Sequence, residues 1–164
     1  MLPLTRRPIL FSAPVSSRSS RIPYFQDATA VIFVAAISEY DQVLAEDGRT
    51  NRVLESINLF TEIMNSEWFT RTPLVLFLNK CDLFADKLRR VPLNVLFPKY
   101  SGSASYQHAC EFLCREFVKR RANPNKVIHI HVVSAIQIDL IKTAMDSVKT
   151  MIVEQSLGMA GLMA

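Results

Sequence analysis

Three apolar runs of strand length punctuate the chain: Thr29 to Ile37, Leu74 to Leu78 and Lys126 to Val133. The first two are apolar almost throughout, the signature of strands buried on both faces of a parallel sheet. Between them the period changes from two to between three and four. Val53, Ile57, Phe60 and Met64 recur at helical spacing after Gly48-Arg49-Thr50, with Thr50 as the expected N-cap and an end near Asn65. Ser101 and Ser103 precede a second helix carrying Tyr106, Cys110, Leu113 and Phe117 on one face. A third runs from about Asp139 to Gly158 and turns Ile138, Ile141, Met145, Val148 and Ile152 inward. Pro92 and Pro98 restrict Lys87 to Tyr100 to short helical pieces and turns, and Asn123-Pro124-Asn125 breaks the chain before the last strand. Alternating strands and helices predict an α/β domain with three parallel strands and right-handed crossovers.

The first 22 residues differ from this pattern. Pro3, Pro8 and Pro14, five serines from Ser12 to Ser20, four arginines and no acid leave no period, so a disordered leader is expected over 1–22 and a folded domain over 23–164. The composition also fits a mitochondrial transit peptide, and a truncated or misassembled start is the alternative. The net charge of +4 comes from this tract: it holds four of the nineteen basic residues, so the remainder carries fifteen of each sign. A nucleic-acid interface needs a basic face on the domain itself, and no nucleic-acid partner is expected. No apolar run reaches the ~20 residues of a membrane span.

Candidate chemistry concentrates behind the second strand, where Leu74-Val75-Leu76-Phe77-Leu78 leads directly into Asn79-Lys80-Cys81-Asp82. Asn-Lys-x-Asp at the carboxyl end of a parallel strand is the guanine-reading loop of GTP-binding proteins. A carboxylate at Asp82 can accept from both the ring N1–H and the exocyclic amine of guanine, a pair of donors adenine does not present. Lys80 would lay its methylene stem along the ring, and Asn79 would tie the loop to the purine edge. Three cysteines, Cys81, Cys110 and Cys114, follow no framework or zinc-ligand spacing, and His108, His129 and His131 do not complete one. Reduced thiols in structural roles and no metal site are expected.

From Tyr24 onward the chain resembles the second half of the GTPase domain of heterotrimeric G-protein alpha subunits, with the nearest likeness to fungal members. The resemblance rests on Phe25 to Phe33 followed by Ser38-Glu39-Tyr40-Asp41, on Leu44-Ala45-Glu46-Asp47, Asn51-Arg52 and Trp68-Phe69-Thr70, and on Leu76 to Lys80, Asp82-Leu83-Phe84 and Tyr100-Ser101-Gly102 in family order. It implies a partial Ras-like P-loop GTPase fold with the strands of the N-terminal half missing. The four glycines, Gly48, Gly102, Gly158 and Gly161, fit neither a G-x-x-x-x-G-K-[ST] loop nor a D-x-x-G element. The family's phosphate cradle, its Mg²⁺ ligands and its cis arginine are therefore absent from this sequence, and hydrolysis is expected to be lost. Within Val133-Ser134-Ala135-Ile136, Ala135 matches the family alanine whose backbone N–H meets guanine O6, whereas Val133 and Ile136 replace two threonines.

The resemblance implies GTP and GDP as ligands and three partners: a G-protein-coupled receptor at the C-terminal helix, a beta-gamma dimer, and an effector near Asp41 to Arg52 and Trp68. Trp68 reads equally as an ordinary boundary aromatic. The family works at the cytoplasmic face of the plasma membrane. No N-myristoylation site is expected, because the chain begins Met1-Leu2. The tail Gly158 to Ala164 resembles the family's Cys-Gly-Leu-x ending with Ala160 in place of cysteine. A non-catalytic decoy that binds a receptor or effector is the alternative reading. With half the family sheet gone, Thr29 to Ile37 is expected to present an unpaired edge.

Overall fold

The computed structural model describes residues 9–12, 28, 30–102 and 105–134, together with 142, 146, 149, 150 and 153. Among them four parallel strands form one sheet in the order β1 (Ile9–Ser12), β2 (Val31–Ala36), β3 (Leu74–Asn79) and β4 (Ile128–Val132). The sequence pattern predicts the last three. β1 corrects two expectations: the leader is ordered at Ile9–Ser12, and the edge of β2 is paired, with Ile9 opposite Val31 and Ser12 opposite Val34. The physical reason is local. Ile9-Leu10-Phe11 is a short run of strong strand formers inside a tract of otherwise breaking composition, and the open ladder of β2 supplies the partners its backbone needs.

Three helices complete the described elements: α1 (Arg52–Asn65), α2 (Cys81–Leu88) and α3 (Tyr106–Val118). Their apolar faces and the inward residues of β2 and β3 share one core. Phe33 of β2 packs on Phe60 of α1 with ring centroids 5.2 Å apart, and Phe60 meets Phe117 of α3 at 6.0 Å. Each of these rings is fully buried, a burial worth about 1.5–3 kcal/mol per side chain. Ile32, Val75, Phe77 and Val133 form a second, smaller cluster on the opposite face of the sheet.

Helix α1 starts one residue later than the sequence pattern predicts. Asn51, not Thr50, is its cap, with Oδ1 accepting from Val53 N at 2.9 Å and Leu54 N at 3.2 Å. The Thr50 hydroxyl is already committed to the Asp47 carboxylate. α2 lies where the sequence pattern predicts only a loop leading into short pieces, so Asp82 stands on a helix. Residues 142, 146, 149, 150 and 153 are helical and exposed; the inward stripe expected between Ile138 and Ile152, and Gly158 beyond it, lie outside the described residues. Among the described residues no helix is long and apolar enough to cross a membrane.

Candidate functional site

The buried run of β3 ends at Asn79, and the chain reverses sharply there. Lys80 takes φ 62° and ψ 38°, the left-handed region, and is the one non-glycine residue with positive φ among those described. Such a backbone costs on the order of 1 kcal/mol or more unless its surroundings fix it. Three hydrogen bonds do so. Lys80 N donates to Asn79 Oδ1 at 2.7 Å, Phe84 N donates to the Lys80 carbonyl at 2.9 Å, and Cys81 N donates across to the Val133 carbonyl at 3.2 Å. Asn79, expected at the purine edge, thus spends its side-chain oxygen on holding the turn.

This reversal puts Asp82 in the first turn of α2, where free backbone N–H groups and the helix dipole favour a negative charge. The Ser134 hydroxyl donates to the Asp82 carboxylate and, with the backbone N–H groups of Leu83 and Asp82, holds it below the usual carboxylate range against the opposing pull of burial. Ser134 itself is buried. It reaches Asp82 because Val133 N donates to the Leu78 carbonyl at 2.9 Å, which continues the pairing of β3 and β4 beyond the last ladder pair. The structure therefore brings together Asn79, Lys80, Asp82 and Ser134 beyond the carboxyl ends of two neighbouring strands, where open parallel sheets take ligands. Ala135, expected to offer a backbone donor there, lies outside the described residues.

Sequence reasoning gave Ser134, Glu39 and Arg52 no role in the site. Glu39 accepts from Lys80 Nζ on Oε1 at 2.6 Å and from Arg52 Nε on Oε2 at 2.8 Å. The signal lay in register: Ala36 of β2 pairs with Asn79 of β3, so the residues just after Ala36 meet those just after Asn79.

The cysteines and histidines are not brought into this site as a set. Burial pushes the Cys110 thiol up to about 11 and also raises that of Cys114, so neither is a ready thiolate. His131 stacks on Phe77 with centroids 5.4 Å apart, and burial followed by the charge of His129 pulls its pKa down. Among the described residues no three His, Cys, Asp or Glu side chains converge as a cation site built from such ligands requires.

Comparison with known proteins bears on this geometry. A family model described as the G-protein alpha subunit matches residues 12–152 and so takes in part of the tract before Tyr24. The guanine nucleotide-binding protein alpha-3 subunit of Caenorhabditis elegans is 46% identical over 147 residues, covering 90% of this chain and 42% of that protein. The G(o) subunit alpha of the same nematode is 43% identical and that of Lymnaea stagnalis 42%, each over 147 residues that cover 90% of this chain and 42% of the relative. The chain spans about two-fifths of the length of the curated relatives it matches. With a family model covering most of its residues, a partial Ras-like sheet, and Asn79-Lys80-Cys81-Asp82 at the carboxyl end of β3, the chain belongs to the G-protein alpha subunit family.

Proposed function

We propose that this chain recognises the guanine base of GTP or GDP through Asp82, with Lys80 flanking the ring, Asn79 fixing the turn and the backbone of Ala135 facing O6. The observation that carries the reading is the Asp82 carboxylate itself. It is ionised at neutral pH, oriented by Ser134, and placed at the mouth of two strand-end loops. An ionised carboxylate is acceptor-only. It matches an edge that presents two donors and mismatches one that presents a donor beside an acceptor. Base contacts without a phosphate cradle support about millimolar affinity, near 4 kcal/mol.

The signalling role of the family enters the proposal through surfaces. Trp68, 41% exposed beside the end of α1, is the candidate effector contact. The C-terminal segment, of which residues 142, 146, 149, 150 and 153 are helical, is the candidate receptor contact, and beta-gamma binding is carried over from the family alone.

Titration with GDP and with ADP tests it. The wild-type chain should prefer GDP, and Asp82→Asn should erode the preference roughly tenfold, because an amide donor then meets a donor of the base. Equal binding of GDP and ADP, unaffected by Asp82→Asn, contradicts the proposal.

A further inference from the structure

Lys80 and Asp82 stand two residues apart with opposite charges, and the base-reading role needs the carboxylate kept free for a ligand's donors. A lysine ammonium on a four-carbon stem has ample reach and freedom to take that carboxylate itself. The structure shows where the ammonium goes instead. Lys80 Nζ lies 2.6 Å from Glu39 Oε1, and the other oxygen of the same carboxylate is held by Arg52 Nε at 2.8 Å. The Glu39 side chain is 15% exposed, against 42% for Lys80 and 31% for Arg52, so the acid is the sheltered member of the trio.

Both flanks of Glu39 are anchored. Its segment follows β2 as a single helical turn, Ile37–Glu39, with Ile37 and Ser38 buried. Tyr40 donates its hydroxyl to the Val91 carbonyl, and Asn51 Nδ2 donates to the Tyr40 carbonyl at 2.7 Å. Arg52 opens α1, and its N–H donates to the Gln42 carbonyl at 3.0 Å. A second pair, Lys87 to Asp41 at 2.5 Å, ties the same segment to the far end of α2. Isolated surface pairs contribute little. This one differs because two cations from separate elements share one preplaced carboxylate.

We propose that Glu39 is a specificity-determining positioning residue: held by Arg52, its carboxylate draws the Lys80 ammonium away from Asp82 and so leaves to guanine the Asp82 lone pairs that Ser134 and the backbone do not occupy. The base in this statement rests on the guanine reading; the competition between Glu39 and Asp82 for Lys80 does not. Carbon-13 titration of the Asp82 side-chain carboxyl in the ligand-free full chain therefore tests the competition by itself. Glu39→Gln keeps an amide oxygen for Arg52 but surrenders the charge that holds Lys80. Lys80 then pairs with Asp82, and the Asp82 titration moves to lower pH by about half a pH unit, the size expected of an exposed pair. Adding Lys80→Met should abolish that downward move. Arg52→Ala, which loosens Glu39 without touching Lys80, should give a smaller move in the same direction.

The second readout is discrimination between guanosine and adenosine. Glu39→Gln should lower it about two- to fivefold, and in a Lys80→Met background it should lower it no further. An Asp82 titration that is the same in wild type and Glu39→Gln overturns the proposal. So does a move that persists in the Lys80→Met background. If the wild-type chain fails to discriminate between the bases, the guanine reading fails, and the titration still decides the role of Glu39.

Discussion

Asp82 is useful as a reader of donors only while it is ionised. The Ser134 hydroxyl is the largest cause of its depressed pKa, ahead of the backbone N–H groups of the first turn of α2. The sign follows from that depression. What Asp82 contributes is present above the ordinary carboxylate range and is lost as pH falls through its lowered value, so base preference should stay flat from neutrality down into that range and fall only below it. Ser134→Ala removes the donor and should move the acid loss of preference upward in pH while leaving its neutral value nearly intact. Guanosine-to-adenosine affinity ratios across the acid range check this. An unchanged acid limb in Ser134→Ala would show that the helix terminus alone sets the carboxylate.

At the scale of elements, the start of α1 separates two residues that look equivalent in the sequence. Thr50 and Asn51 are both good cap types. Gly48, at φ 61°, lets the chain turn so that Asp47 Oδ1 accepts from Arg49 N at 2.9 Å and Thr50 N at 3.0 Å, which consumes Thr50 within the turn. Asn51 is left to cap α1 and, through Nδ2, to hold the Tyr40 carbonyl. Asn51→Ala should therefore cost about 1 kcal/mol or somewhat more in urea unfolding, and Thr50→Ala clearly less. The reverse order would place the cap where the sequence pattern predicts it. The strand cores and the helical stripes were legible because burial on β2, β3, α1 and α3 is dense and periodic. α2 was not, since Phe84 and Leu88 are its only fully inward residues and eight residues give little room for a period. The Glu39 trio was invisible for another reason: its members are 41 and 13 residues apart in sequence, Lys80 meeting Glu39 through the register of β2 with β3 and Arg52 through the turn that Arg52 N closes on the Gln42 carbonyl.

For the whole molecule, β1 carries the largest departure from expectation. A short run inside an Arg-, Ser- and Pro-rich tract gives too weak a signal to read as a strand, and only the open ladder of β2 makes pairing favourable. Successive N–H groups of a strand point to opposite sides, so replacing both Leu10 and Phe11 by proline removes a donor on each side and must break this ladder. The variant should expose the edge of β2 and raise self-association in sedimentation velocity, since an uncovered apolar edge strand is a template for pairing. A variant as monomeric as the wild type would mean that β1 does not protect that edge.

Whether the two strand-end loops form a guanine reader is decided by amide chemical-shift mapping of the full chain with guanosine and with adenosine. Guanosine-dependent shifts should concentrate at Asn79 to Leu83 and at Val133 to Ala135, be much weaker with adenosine and be lost in Asp82→Asn. Equal responses to the two nucleosides, or shifts centred on any other part of the sheet, would contradict that reading.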